Sequence, residues 1–230
     1  MTVEDRSEAA PASDVVRCVN VDRRYGTAGA VVTAVREVTC CVPPAARIAL
    51  TGRSGSGKST LLHLIAGLDT PSRGTVSWPA LGVDRRGRPN CVGVVFQGPS
   101  LLDDLNVTEN ILLPMLFAGK STTDANRRAR VALSDVDIAD LADRLPAELS
   151  SGQAQRAAIA RAVAMQPALI LADEPTGRLD RHTGERVIAA LLAAADIAGA
   201  ALVIATHDDA VAARLPTQWS MRDGRLDPTR

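Results

Sequence analysis

The run Gly52-Arg53-Ser54-Gly55-Ser56-Gly57-Lys58-Ser59 combines glycines, a lysine and a hydroxyl at a spacing suited to polyphosphate. It fits G-x-x-x-x-G-K-[ST] at every fixed position. Glycines let the backbone turn its N–H groups inward around phosphate oxygens, and a helix beginning near Lys58 adds the positive end of its dipole. Lys58 would neutralise the β- and γ-phosphates, and the Ser59 hydroxyl would ligate Mg²⁺. Gly52, Ser54, Gly55, Gly57, Lys58, Ser59 and Thr60 are the candidate phosphate-binding residues. The alternative, a flexible glycine–serine loop, is disfavoured by the strand before it and the helix after it. The motif specifies nucleotide binding and leaves the reaction open.

A second candidate is Leu169-Ile170-Leu171-Ala172-Asp173-Glu174-Pro175. It puts two carboxylates at the carboxyl end of a buried strand, where open α/β sheets bind ligands. Asp173 would hold Mg²⁺ through its water shell. Glu174, one residue on, would polarise an attacking water. A solvated turn after the strand would explain either carboxylate alone, but not their pairing with the phosphate loop.

Elements must bring these residues together. Residues 15–21 and 31–42 read as strands, the second closed by Pro43-Pro44. Residues 47–51 form a short apolar strand ending at Gly52, and 58–67 carry a buried-helix pattern with glycine at the end. Residues 91–96 read as another strand. Residues 100–151 change character: Asn106-Val107-Thr108-Glu109 opens a helix, 124–133 is helical, and 137–144 is expected as a further short helix. This stretch reads as an inserted helical subdomain. A long helix over 152–165, a buried strand over 168–172, a helix over 184–195, a strand over 201–205 and a hairpin around Asp223-Gly224 follow. The alternation predicts an α/β fold with a largely parallel sheet. No internal repeat is present, which implies one nucleotide module per chain.

Composition bounds the partners. The 230 residues are 46% apolar, with 26 acidic and 26 basic side chains, so no global basic field argues for nucleic acid. Lys58 and Lys120 are the only lysines. A chain that writes arginine almost everywhere keeps Lys58 where a compact ammonium is wanted rather than a planar fork. Cys18, Cys40, Cys41 and Cys91 show no metal-binding spacing and read as small apolar residues. No signal peptide is evident, and residues 1–14 suit a disordered tail. The longest apolar stretch, 187–205, is broken by Asp196 and Gly199 and fails as a membrane span, so the chain is expected to be soluble by itself.

Leu149-Ser150-Ser151-Gly152-Gln153 lies immediately before a helix. Ser150 is a good N-cap, and capping alone would account for it. Exposed N–H groups, a serine hydroxyl and a helix dipole would also form a second phosphate site. Here the chain resembles the ATP-binding cassette (ABC) ATPases, whose signature is LSGGQ, and the likeness runs on through Ala162. It covers residues 15–226 in the family's order. The resemblance implies a phosphate-loop NTPase core over 15–97 and 155–230, with a largely parallel sheet, an antiparallel β portion near the N-terminus and a helical subdomain over about 98–154.

The resemblance also assigns roles. Tyr25 sits where the family stacks an aromatic on adenine, although a single tyrosine is more often a packing residue. Gln97 matches the loop that contacts Mg²⁺ and water, and Asp180 closes the segment Gly177-Arg178-Leu179-Asp180 that matches the D-loop. His207 matches the switch histidine at the γ-phosphate. Ser150, Ser151, Gly152 and Gln153 would complete the ATP site of a second subunit. ATP and Mg²⁺ are thus the expected cofactors, and the expected partners are a second copy or a paralogous ATPase subunit and an integral membrane permease, not nucleic acid. Glu174, His207, Gln97 and Lys58 are the expected catalytic residues, and Ser59, Gln97 and Asp173 the expected metal ligands. Ser151 and Arg178 depart from the family's usual glycine and asparagine.

Residues 67–74, 107–114 and 172–177 are similar to the branch that includes lipoprotein-releasing, macrolide-efflux and cell-division ABC ATPases. That similarity implies work at the cytoplasmic face of the cell membrane, either export of lipid, lipoprotein, peptide or drug, or transmission of force without cargo. A cassette acting on DNA or ribosomes would usually carry a tandem copy or long coiled-coil insertions, and a phosphate-loop kinase would not need the signature. The apolar run Ile111–Phe117 is either the permease-docking surface or the core of the subdomain.

Overall fold

The computed structural model describes residues 14–26, 31–81 and 91–227. In chain order the elements are β1 (Val16–Tyr25), β2 (Val32–Val42), β3 (Arg47–Thr51), α1 (Lys58–Ala66), β4 (Arg73–Ser77) and β5 (Val92–Val95). There follow α2 (Val107–Phe117), α3 (Thr122–Asp135), α4 (Ser151–Val163), β6 (Leu169–Asp173), α5 (Arg181–Ala198), β7 (Ala201–Thr206), α6 (Asp209–Ala212), β8 (Thr217–Arg222) and β9 (Arg225–Asp227).

The strands β5-β6-β7-β3-β8-β9 form one sheet, parallel except for β9, which returns from β8 as a hairpin. Its central strands are apolar throughout because both faces are covered. Leu169 and Leu171 of β6 point into a core shared with α1 and the N-terminal strands, while Ile170 and Ala172 point into one shared with α4 and α5. In β7, Ala201, Val203 and Ala205 join the first core and Leu202 and Ile204 the second. Slipping either strand by one residue would exchange the two sets. In this register Thr51 pairs with Thr206 and Asp173 with Ala205, so the loops after β3, β6 and β7 leave the sheet side by side.

The antiparallel portion is a second sheet of order β2-β1-β4. Strand β4 was not expected from the sequence: it is polar and largely exposed. Its Gly74 has a left-handed φ of 79°, and a Cβ there would lie 2.2 Å from the Asn20 carbonyl oxygen. Cys18 is buried opposite Cys40 across β1 and β2, Cys41 is exposed, and all four thiols are free.

Asp22 ties this sheet together from a buried position. It accepts hydrogen bonds from the Glu37 N–H at 2.7 Å and from Arg24 Nη2 at 3.1 Å. The Glu37 bond is the main reason its carboxyl stays below the ordinary 3.8, against the desolvation of burial. Asp22→Ala should lower stability in urea denaturation by about 2 kcal/mol, the cost of a buried donor left without its acceptor. A depressed folded pKa stabilises above the unfolded value and is lost as pH falls through the folded one. The gap between wild type and variant should therefore be constant near neutrality and shrink below about pH 4. A gap that did not change with pH would show the charge to be idle.

Between β5 and β6 the chain is mainly helical. Val107, Ile111 and Met115 of α2 meet Ala125, Ala129 and Leu133 of α3 and Ala157 and Ala160 of α4. Alanine on the facing sides lets these helices approach closely. The helix expected over 137–144 is instead a single 3₁₀ turn, Ala139–Leu141. The Ala142 and Arg144 carbonyls turn away from a helical path to accept the Thr108 and Val107 N–H groups, each at 2.9 Å. A boundary at 154/155 would fall inside α4, which is continuous from Ser151. The tail expected over 1–14 lies outside the described residues except for Asp14, which is buried and accepts from Arg17 Nε at 3.1 Å. Among the described residues no helix is long and apolar enough to cross a membrane.

Candidate functional site

Strand β3 ends at Thr51 and helix α1 starts at Lys58, leaving six residues to turn the chain. The turn is pressed against neighbouring backbone. At Gly57, φ 103°, a Cβ would come within 2.2 Å of the Ala34 carbonyl oxygen, and at Gly52 within 2.3 Å of that of Met221. Only glycine fits either place. Helix α1 has no side-chain cap and no acid in its first turn, so its N-terminal N–H groups remain available to an anion.

A cavity of about 580 Å³ opens over this turn. Arg53, Ser54, Gly55, Gly57, Lys58, Ser59 and Thr60 line one side, together with Ala34 of β2. Gln97, after β5, Glu174, after β6, and His207, after β7, line the other. The aligned strand ends thus gather residues as far apart in the chain as Arg53 and His207.

The charged groups are coupled. Lys58 is buried, and its Nζ donates to the carbonyls of Gly52 at 2.7 Å and Arg53 at 3.3 Å. Nζ also lies 3.5 Å from Glu174 Oε1, and Glu174 Oε2 is 2.8 Å from His207 Nδ1. Glu174 itself has a left-handed φ of 45°, so its backbone is bent into a conformation that non-glycine residues seldom adopt. The Glu174 carboxylate lies between a fixed cation and an imidazole, facing the cavity. That arrangement can accept a proton from water held above the phosphate loop.

Asp173, half-buried at the end of β6, has an Oδ1 that is shielded from solvent and lacks a hydrogen-bond partner. An orphaned carboxylate oxygen at the end of β6 fits a hard divalent cation, for which oxygen donors are the suitable ligands; Ser59, Gln97 and the adjoining residue Glu174 line the cavity. Among the described residues no cluster of three or more His, Cys, Asp or Glu could hold a metal alone. Phosphate oxygens would have to complete such a site, as is usual for Mg²⁺.

Helix α4 grips the turn containing Gln97 from both sides. Gln155 Nε2 donates to the Phe96 carbonyl at 3.0 Å, and Arg161 donates to those of Ser100 at 2.7 Å and Pro99 at 3.3 Å. Gln155 and Arg161 fall in the segment of family likeness that runs on through Ala162, but the sequence assigns no role to either.

The remaining expected residues lie outside the cavity. Ser150 N-caps α4, accepting from the Gln153 N–H at 3.3 Å, while Gln153 Oε1 accepts from the Ser150 N–H at 2.8 Å. Gly152 is where α4 meets the start of α5: a Cβ would lie 2.3 Å from Thr183 Cγ2. Ser151 is exposed, as is Arg178. Asp180 caps α5, accepting from the Thr183 N–H at 3.0 Å. Tyr25 stands at the end of β1, 41% exposed, with its hydroxyl on Asp69. The Ile111–Phe117 run divides by helix face: Ile111 and Met115 are core, while Phe117 is 83% exposed.

Known proteins share these features. The profile of the ABC transporter family matches residues 35–177. The lipoprotein-releasing system ATP-binding protein LolD of Gluconobacter oxydans is 45% identical over 188 residues, covering 79% of this chain and 81% of that one. LolD of Bordetella pertussis is 39% identical over 211 residues, covering 89% and 91%. The dimeric structure of the bacterial ABC transporter cassette MJ0796 superposes with a TM-score of 0.83 at 32% identity, covering 94% of this chain and 99% of that one. A dimeric post-hydrolysis state of MJ0796 bound to ADP and Pi gives a TM-score of 0.81 over the same shares, also at 32% identity.

Proposed function

This chain belongs to the ABC transporter family and is an ATP-hydrolysing cassette, and on that premise we propose that two copies close around two ATP molecules to drive a separate membrane permease. The observation that carries the chemical part is the Lys58–Glu174–His207 chain of contacts across a glycine-turn cavity. In the proposed reaction the N–H groups of residues 54–60 and the Lys58 ammonium bind the β- and γ-phosphates. Glu174 takes a proton from the attacking water as the bond from γ-phosphorus to the bridging oxygen breaks. His207 holds Glu174 in place and faces the γ-phosphate. Ser59, Asp173 and Gln97 would hold Mg²⁺, which neutralises charge on the phosphate oxygens. Tyr25 stacks on the base.

One phosphate loop and one Ser150–Gln153 segment per chain support a head-to-tail pair, in which each copy completes the other's site. The dimeric cassettes of similar fold support the pairing itself. Hydrolysis would then reopen the pair, giving a gating cycle.

The permease contact is proposed at the end of α2. Phe117 projects beside a groove of about 330 Å³ formed by Val92, Val94, Pro114, Ala118, Ala162 and Met165. A highly exposed phenylalanine, beside the partly exposed Leu116 and in a mainly apolar groove, suits a partner's buried anchor. The LolD names of the relatives favour lipoprotein or lipid as cargo, with this chain held at the cytoplasmic face of the membrane through the permease. Phe117→Glu should leave ATP turnover of the isolated chain within about twofold and reduce its recovery with the membrane fraction by roughly 30-fold, the loss of one interface hot spot of about 2 kcal/mol. Undiminished membrane recovery would remove Phe117 from the interface.

A further inference from the structure

Tyr25 is the only tyrosine of the chain, and its ring is held by two contacts whose partners are bonded to each other. Its hydroxyl donates to Asp69 Oδ2 at 2.7 Å. The Arg23 guanidinium carbon lies 4.4 Å from the ring centroid, over one face. Arg23 Nε donates to the same Asp69 Oδ2 at 2.8 Å, closing a triangle of carboxylate, cation and ring. With one face covered by Arg23, the exposure that Tyr25 retains belongs to its other face and edges.

Asp69 links this ring to the phosphate site. Its N–H, like that of Leu68, returns to the His63 carbonyl in the last turn of α1, at 3.3 and 2.9 Å. Its Oδ1 accepts from the Thr70 N–H at 2.6 Å. Desolvation would raise its carboxyl, but the bonds from Tyr25, Thr70 and Arg23 outweigh this and hold it below the ordinary range. Helix α1 therefore carries the phosphate-facing N–H groups at one end and the anchor of the ring at the other. On the strand side, Tyr25 pairs with Val32, two residues from Ala34, which lines the phosphate cavity.

We propose that Arg23 and Asp69 are positioning residues that fix Tyr25 as a one-sided stacking surface for the nucleotide base, in register with the phosphate loop through α1. The inference rests on the reading of Tyr25 as the base contact. A ring free to rotate would have to be ordered on binding, and the clamp removes that cost beforehand. The guanidinium on the covered face adds a fixed cation to the stack.

The test is calorimetric titration of the full chain with MgATP and, separately, with inorganic tripolyphosphate, which has no base. Asp69→Ala and Arg23→Gln should each weaken ATP by about fivefold to tenfold, with tripolyphosphate affinity and melting temperature unchanged. Tyr25→Phe, which keeps the ring but loses the Asp69 bond, should fall between wild type and Tyr25→Ala. Equal weakening of both ligands would overturn the inference in favour of a purely structural role, and so would no weakening of either. If Tyr25→Ala weakens ATP while the Asp69 and Arg23 variants do not, the clamp alone is wrong. If Tyr25→Ala binds ATP normally, the base contact is elsewhere and both readings fall.

Discussion

Lys58→Ala should weaken ATP by at least roughly 100-fold and bring turnover to background. In the structure its ammonium is buried against two carbonyls and the Glu174 carboxylate, within the cavity wall. Loss of two charge-assisted contacts to phosphate costs at least about 3 kcal/mol, which is a factor of roughly 10² in affinity. The substitution also leaves Glu174 without its nearby cation in the apo protein, so two anions, carboxylate and triphosphate, would face each other across the cavity. Arginine is no equivalent substitute, because its planar fork is not the compact point charge that Lys58 places between the Gly52 carbonyl and Glu174. Titration with a fluorescent nucleotide and a phosphate-release assay would check this, with circular dichroism to confirm that the variant folds. Unchanged affinity and turnover would remove Lys58 from the site.

The elements around this lysine were legible because their ends are chemically marked. The limits of β3 agree with the expected 47–51, and α1 stops at Gly67, which caps it at a left-handed φ of 72°. The buried strands β6 and β7 are apolar on both faces and could hardly be anything else at that length. Signals failed where structure is decided by tertiary contact. The polar strand β4 exists because Gly74 lets it run against Asn20, which no local pattern announces. Helix α5 starts at Arg181 rather than 184 because Asp180 caps it, a role that its place in a motif does not announce. The apolar run 111–117 could not be assigned to core or surface from composition, and the helix period settles it residue by residue.

Within the site, the residues on strand ends and on the glycine turn were readable one motif at a time. Their meeting in a single cavity depends on the parallel register, which motifs do not state. The supporting contacts were not readable at all. Arg23 and Asp69 around Tyr25, and Gln155 and Arg161 around the Gln97 turn, are polar residues whose partners in these four contacts lie 46 to 62 positions away in sequence. Long-range polar contacts of this kind leave no periodic trace.

Glu174→Gln separates binding from chemistry. The amide keeps the shape of the side chain and can still meet His207, now 2.8 Å from Oε2, but it cannot accept a proton from water. Turnover should fall by about 10³-fold, within the range attributed to a positioned general base. ATP affinity should hold or rise, because a negative charge beside the γ-phosphate is gone while Lys58 remains. The two effects together trap the nucleotide-loaded form. On a sizing column with saturating MgATP the variant should therefore elute as a pair, and with MgADP as a single chain. A variant that turns over ATP within tenfold of wild type would assign the base to another group, with His207 the next candidate by position. A variant that has lost turnover and binds ATP, yet stays a single chain, would keep Glu174 as the base and refute closure by nucleotide alone. The outcome thus distinguishes the chemistry of one cavity from the assembly of two, which rest on separate observations: the contacts of Glu174 for the first, and the position of Ser150–Gln153 outside its own chain's cavity for the second.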